Sequence, residues 1–350
     1  MSHHAITPIT LALVLVACTP GGGGPTPGDP PTTSTSASEP APRPVELVYG
    51  YAPGTRLDYG IEVTQDIAFD ADGDAQGFGD AALPIDADLV TESTGRAAYS
   101  VTAAQSPDTF ALGIVASFPD TRVAGNVNGD TIDNLEEGGV EADLARIDPV
   151  DVTLMVNRFG RVLVGDVTHS GELGANLAAL TGLTSDLFTL PVGPVFPTDR
   201  AMTIGDTWEI MTNRSGPSGP VAVRATSAIV DFVDGTYVIE TTTVTDAYDV
   251  DFSDRFRELF LGFAELEEGA EIPPEVLESL EAIRFSISME QATTTERAEF
   301  HAETGFVRSS TRAAGLRLTM TFRSPGDTGE VTGFDISLDI DQTAVFNLVE

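Results

Sequence analysis

Between Phe334 and Asp341 apolar and polar residues alternate without a break: Phe334, Ile336, Leu338 and Ile340 against Asp335, Ser337, Asp339 and Asp341. A period of two places the first set on one face of a β-strand and the second on the other. The segment therefore predicts a strand with one buried face and one acidic, solvated face. Phe285, Ile287 and Met289 alternate in the same way, as do Leu316, Leu318, Met320 and Phe322. Thr and Val crowd residues 236–248 and 286–299, as in Thr241-Thr242-Thr243 and Thr293-Thr294-Thr295, and suit a pleated surface better than a helix. Asp234-Gly235 and Asn128-Gly129 separate the runs as hairpin turns. The expected body is mainly β (α+β in class), an antiparallel curved sheet or half-barrel.

A few amphipathic helices are expected to cover that sheet. Ser253 caps a segment that puts Phe256, Leu259, Phe260, Phe263 and Leu266 on one face. Pro273-Pro274 stop it and start a second, Glu275 to Ile283, and a third runs from Glu172 to Leu183. The aromatic face of the first packs on the sheet or lines a hydrophobic ligand cavity. Trp208, the only tryptophan, leads a strand after the Gly205-Asp206 turn. It is expected to be buried beside Phe256, Phe260 and Phe263, and these four residues form the candidate ligand cavity.

Two short motifs recur. Pro53-Gly54-Thr55-Arg56-Leu57 is echoed by Ile204-Gly205-Asp206-Thr207-Trp208, and Arg158-Phe159-Gly160-Arg161-Val162 by Glu303-Thr304-Gly305-Phe306-Val307. The spacing between the paired glycines is nearly the same in both halves. Residues 46–190 and 191–350 are therefore expected to form two similar β-meanders within one body, residues 46–350.

Residues 1–17 read as a secretion signal. The apolar run from Ala5 to Ala17 is about 20 Å long as a helix, too short to span a bilayer and of the length of a signal h-region. Only His3, His4 and the amino group precede it as potential cations. Leu15-Val16-Ala17-Cys18 resembles a bacterial lipobox, which implies cleavage between Ala17 and Cys18 and a diacylglycerol thioether on Cys18. Residues 18–45 then form a tether: of the 26 residues from Thr19 to Pro44, 21 are Pro, Gly, Ser or Thr. Such a chain reaches roughly 30 to 70 Å.

Met202-Thr203-Ile204-Gly205-Asp206-Thr207-Trp208-Glu209, with Glu303-Thr304-Gly305-Phe306-Val307 a hundred residues on, resembles a family of bacterial secreted lipoproteins of unknown function. More distantly, a β-rich body with amphipathic helices on a lipid anchor is similar to the Lol-type and mycobacterial lipoprotein carriers. That likeness implies a curved half-barrel closed by helices around an apolar cavity, and it brings no catalytic residues.

Composition removes many chemistries. Acids outnumber bases 54 to 18 in 350 residues, for a net charge of −36, which is the wrong sign for binding nucleic acid. All the bases are Arg, so lysine chemistry is excluded, and the one Cys lies in the lipobox, which excludes thiol catalysis and disulfides. Of four His, only His169 and His301 follow Cys18, too few for a histidine zinc site. His169-Ser170 reads as a helix cap and Asp327-Thr328-Gly329 as a hairpin turn. Asp70, Asp72 and Asp74 have the odd spacing of the first EF-hand ligands, as do Asn126, Asn128 and Asp130 with Glu137. Both sets permit loose Ca²⁺ binding; no other cofactor is expected.

The leading reading is a non-catalytic lipoprotein of the bacterial cell envelope, extracytoplasmic and held to a membrane by its lipid. It binds a lipid, another hydrophobic small molecule or an envelope partner of unknown identity. The alternatives are an acidic cell-surface structural or cation-binding module and, third, a surface hydrolase working with carboxylates alone.

Overall fold

A computed structural model describes residues 44–73, 84–103, 108–133, 150–169, 193–198, 200–216, 219–254, 257, 282–325 and 331–349. Ala17, Cys18 and the tether as far as residue 43 lie outside them. Alternation is translated directly into strands. These are β1 (Arg56–Gly73), β2 (Ile85–Ala103), β3 (Thr109–Val127), β4 (Asp130–Asp133), β5 (Val150–Asn157), β6 (Val162–His169) and β7 (Thr207–Gly216). There follow β8 (Gly219–Val233), β9 (Thr236–Thr245), β10 (Tyr248–Asp251), β11 (Arg284–Met289), β12 (Ala292–His301), β13 (Phe306–Pro325) and β14 (Val331–Val349).

All join one antiparallel sheet in the order β6-β5-β3-β2-β1-β14-β13-β12-β9-β8-β7, with β4 on β3, and β11 on β13 carrying β10. The sheet is not closed into a barrel: β6 and β7 are its edges among the described residues. The five central strands are 18 to 20 residues long, about 60 Å each, where five or six residues is usual.

The sheet curls. The amides of Tyr49 and Gly50, consecutive residues, donate to the carbonyls of Arg158 (2.7 Å) and Gly305 (3.0 Å). Arg158 lies in the β5–β6 turn and Gly305 in the β12–β13 turn. A flat sheet would hold β5 and β13 roughly 24 Å apart, whereas neighbouring Cα atoms are about 3.8 Å apart. The ring of Tyr51 agrees: it lies 5.8 Å from Phe110 on β3 and 6.2 Å from Phe306 on β13, four strand positions away.

A second segment, residues 193–198, crosses the same end. Phe196 donates its amide to Phe159, the indole of Trp208 donates to the Val195 carbonyl at 2.7 Å, and the Tyr49 hydroxyl donates to the Pro194 carbonyl at 2.9 Å. Val45 and Met202 exchange backbone hydrogen bonds beside them. Leu47, Tyr49, Phe196, Met202, Trp208 and Phe300 thereby form a solid plug. Beyond it the inward face is apolar along the long strands, first around Ile61, Leu112 and Phe346, then around Ile67, Phe69, Leu316 and Ile340.

The expected covering helices are not supported. Among the described residues only Ser253, Asp254, Arg257 and Ala282 are helical; residues 172–183 and most of 253–283 lie outside them. The side chains that do pack on the far apolar cluster from this region come from short strands and their flanks, Val250, Phe252, Phe285 and Ile287. His169 is the last residue of β6, paired with Val150, and the residues that follow it lie outside the described set. Residues 326–330 are outside the described set, between antiparallel β13 and β14.

The turns that open β1 and β7 make the same hydrogen bonds. Thr55 donates to Ala52 and Gly54 to Val101; Asp206 donates to Thr203 and Gly205 to Ile229. Both glycines take the third place of a type II turn, with φ of 91° and 88°, which side chains resist. Around both the space for a Cβ is open, whereas at Gly305, φ 71°, a Cβ would stand 2.4 Å from the Gly50 amide nitrogen. Gly205→Ala should therefore cost only backbone strain, about 1 kcal/mol. Gly305→Ala should cost clearly more because it also pushes away the strap, the Val48–Gly50 backbone that crosses this end of the sheet. Urea midpoints of the two variants check that ranking.

Candidate functional site: a polar girdle inside the curled sheet

Inward positions on β1 read Tyr59, Ile61, Val63, Gln65, Ile67, Phe69 and Ala71, and one of them breaks the pattern. Gln65 is 4% exposed and stands in register with Thr91 on β2 and Gln342 on β14. Followed through the ladders, the same row meets Ala314 on β13, Thr294 on β12 and Thr243 on β9. One step towards the plug, Arg312 on β13 faces Glu296 on β12, which faces Thr241 on β9 and then Ser227 on β8. Two adjacent rows of the concave face are thus largely polar, from β8 round to β2.

This girdle separates apolar zones. Ile239 and Ala298 lie on its plug side, Leu316 and Ile340 beyond it, and all four are at most 5% exposed. Its ends are closed: the Thr91 hydroxyl donates to Gln65 Oε1 at 3.0 Å, and the hydroxyls of Ser227 and Thr241 are 2.9 Å apart. Its middle is more open, because Thr243, Thr294, Glu296, Arg312 and Gln342 are only half-buried. Ser310 Oγ donates to Glu296 Oε1 at 2.8 Å, holding that carboxylate on the inner face. Together the two rows offer a guanidinium, a carboxylate, amides and hydroxyls, with no net charge.

Four of the six tyrosines gather between girdle and plug. Tyr49 stacks on Tyr51 at 5.0 Å, Tyr59 meets Tyr99 edge-on at 5.1 Å, and the Tyr59 hydroxyl donates to the Val307 carbonyl at 2.7 Å. With Ser310 and Phe346 they line a void of about 20 Å³, room for roughly one water. Burial pushes all four phenols upward; at Tyr49 and Tyr99 neighbouring tyrosines and then the Glu296 charge add to it.

Of the sequence-predicted residues only some belong to the described set. Trp208 is 6% exposed in the plug, 6.2 Å from Phe196, while Phe256, Phe260 and Phe263 lie outside the described residues. Asp70 and Asp72 are not in a loop: both are exposed on the outer face of β1, opposite Ser337 and Asp335, and Asp74 is outside the described set. Asn126, Asn128 and Asp130 belong to the β3–β4 hairpin, where Asn128 Oδ1 accepts from the Asp86 amide at 2.8 Å; Glu137 lies outside. No group of three metal-binding side chains occurs among the described residues. The girdle and the tyrosine cluster went unread in the sequence, although Gln65, Glu296 and Arg312 each interrupt an alternating run.

No family model matches the chain, and no curated protein matches it. Solved structures with some likeness include the outer membrane protease OmpT from Escherichia coli, at 8% identity and a TM-score of 0.24, covering 85% of this chain and 98% of that one. Pseudomonas aeruginosa OccK5 gives 7% identity and a TM-score of 0.18 over 84% and 98%. The TodX monoaromatic hydrocarbon channel gives 10% and 0.21 over 85% and 91%. None of these scores carries an argument about function. The outward face is informative by itself: Asp58, Glu62, Asp66, Asp70 and Asp72 are all exposed on β1, the reverse of the apolar band that faces lipid on a membrane barrel.

The raised phenols have a consequence at alkaline pH. The unfolded chain releases these protons near pH 10 while the folded chain keeps them. Their contribution to stability is complete below pH 10 and is lost as pH rises above it. In folded protein, absorbance at 295 nm should lack the ionisation of Tyr49, Tyr51, Tyr59 and Tyr99 around pH 10. The unfolding free energy from urea titrations should fall by about 1.4 kcal/mol per pH unit for each tyrosine kept protonated.

Proposed function

We propose that this protein is a non-catalytic lipoprotein of the bacterial cell envelope, extracytoplasmic and anchored through Cys18, that holds a hydrophobic ligand against the concave face of its sheet. The observation that carries the reading is the layered inner face, apolar beyond a half-open polar girdle and closed at one end by the plug. The h-region before Cys18 and the Pro/Gly/Ser/Thr tether after it support the anchor. Only about 20 Å³ is free beside the tyrosines, and Ile67, Phe69, Leu338 and Ile340 beyond the girdle are at most 7% exposed, so an acyl chain entering there has to part side chains that now pack on one another.

One feature favours the second reading, an acidic module that takes up cations. On the outer face Asp66 stands directly opposite Asp341 and Asp72 opposite Asp335, and like charges so placed repel. The Asp341 carboxyl is pushed up by burial and by Asp339. Arg323 offsets part of this by donating to Asp335 at 2.9 Å.

Two measurements test the first reading. Cys18→Ala should leave the protein as an uncleaved precursor or release it from membranes, read by fractionation and intact mass. Native mass spectrometry of the purified protein should show co-purifying lipid. Protein free of lipid that takes up none on titration, yet gains thermal stability with millimolar Ca²⁺, would put the cation-binding module in its place.

A further inference from the structure

We infer that the girdle recognises the head of the ligand, and that this head is uncharged and hydroxyl-rich, a glycerol or a sugar, in place of a carboxylate or phosphate. The inference rests on the hydrophobic-ligand reading above and assigns the chemical class of that ligand.

The charges on the row set the class. Arg312 alone would select an anion, but register places Glu296 directly across from it, at the roughly 5 Å that separates paired side chains. An anionic head drawn to the guanidinium would meet that carboxylate, on a chain whose net charge is already −36. A hydroxyl meets no such conflict, because it can accept from the guanidinium and donate to the carboxylate at once. In the adjacent row Gln342, Thr294 and Thr243 add groups that both donate and accept, and these side chains too are half-buried. Accessibility, mixed donor and acceptor character and zero net charge thus coincide across the two neighbouring rows. On the side away from the plug the girdle borders the buried apolar core at Leu316 and Ile340, which an acyl chain would have to open.

The test compares three probes with one acyl chain, 1-monopalmitoylglycerol, palmitate at pH 8 and methyl palmitate. Each displaces the neutral fluorophore N-phenyl-1-naphthylamine from delipidated mature protein. Monopalmitoylglycerol should bind at least about tenfold tighter than either of the others, since a site built for hydroxyls rejects analogues that lack them. Glu296→Gln and Gln342→Leu should each weaken monopalmitoylglycerol by about tenfold and leave methyl palmitate unchanged. Thr294→Val, which removes one half-buried hydroxyl at constant shape, carries the same comparison if either of those variants fails to fold. Palmitate as the tightest probe, or equal affinities that the variants do not alter, overturns the inference while leaving a hydrophobic ligand in place. A protein that binds neither the fluorophore nor any probe overturns the inference together with the reading beneath it.

Discussion

Two neighbouring amide groups, on Tyr49 and Gly50, tie together turns that a flat sheet would hold several strands apart. The inside of the molecule depends on that tie. An open sheet of so many strands, some of them 18 to 20 residues long, tends to curl or split. Register shifts at Thr94/Arg96, Met155/Val156, Ile229/Asp231 and Glu299/Phe300 bend it further. The strap sets where the curl stops, because Tyr49 is at once hydrogen-bonded to Arg158 and Pro194 and packed edge-on against Phe300. Once the turns are held, Ile61 and its cross-strand neighbour Phe346 share one buried core with Leu112.

The two faces then carry different physics. Outward, ion pairs cross the ladders: Arg317 with Asp339 at 2.8 Å, Arg323 with Asp335 at 2.9 Å, and Arg297 with Glu240. Exposed pairs of this kind contribute at most about 1 kcal/mol each, so the charged coat governs solubility and long-range repulsion more than fold. Inward, area burial supplies the stability, and the described chain begins at the plug, where Val45 pairs with Met202. The far apolar cluster at Phe69 and Leu338 begins about ten residues further along β1 than Tyr59, on the order of 30 Å from that pairing.

Alternation made the strands legible, and the hairpins with them: Asn128 and Gly129 take φ of 51° and 84°, Asp234 and Gly235 50° and 77°, as a type I′ turn requires. The placement of Asp70 and Asp72 on a strand was hidden in the sequence for a simple reason. Ligands at alternate positions of a calcium loop and outward residues of a strand share the same spacing of two, and only the pairing of Asp70 with Ser337 and Asp86 distinguishes them. The girdle was hidden for a different reason. Gln65 is a visible interruption between Ile61 and Phe69, and Arg312 another before Ala314 and Leu316, but each alone is unremarkable. Their meaning lies in the β1–β14 and β13–β14 ladders, which join residues as far apart in sequence as Gln65 and Gln342. Trp208 was legible as core, but its neighbour Phe196 comes from a segment with no periodicity to announce it.

A polar row inside an apolar trough is costly to maintain. Leucine at 65 would continue the run from Ile61 to Phe69 and gain the transfer energy of an aliphatic side chain, whereas glutamine must recover its desolvation through bonds such as the one from Thr91. Replacing a charged pair in such a setting by apolar residues is often neutral or stabilising, so Arg312 facing Glu296 gives the fold little that valine and leucine would not. A single row of this kind could pass as a registry device for the long central strands. Two adjacent rows that carry polar side chains on most strands from β8 to β2, with half-buried groups in their middle, exceed what registry needs. The charged and amide groups among them, Glu296, Arg312 and Gln342, are half-buried on the concave face, and that is where the proposed ligand head would meet them.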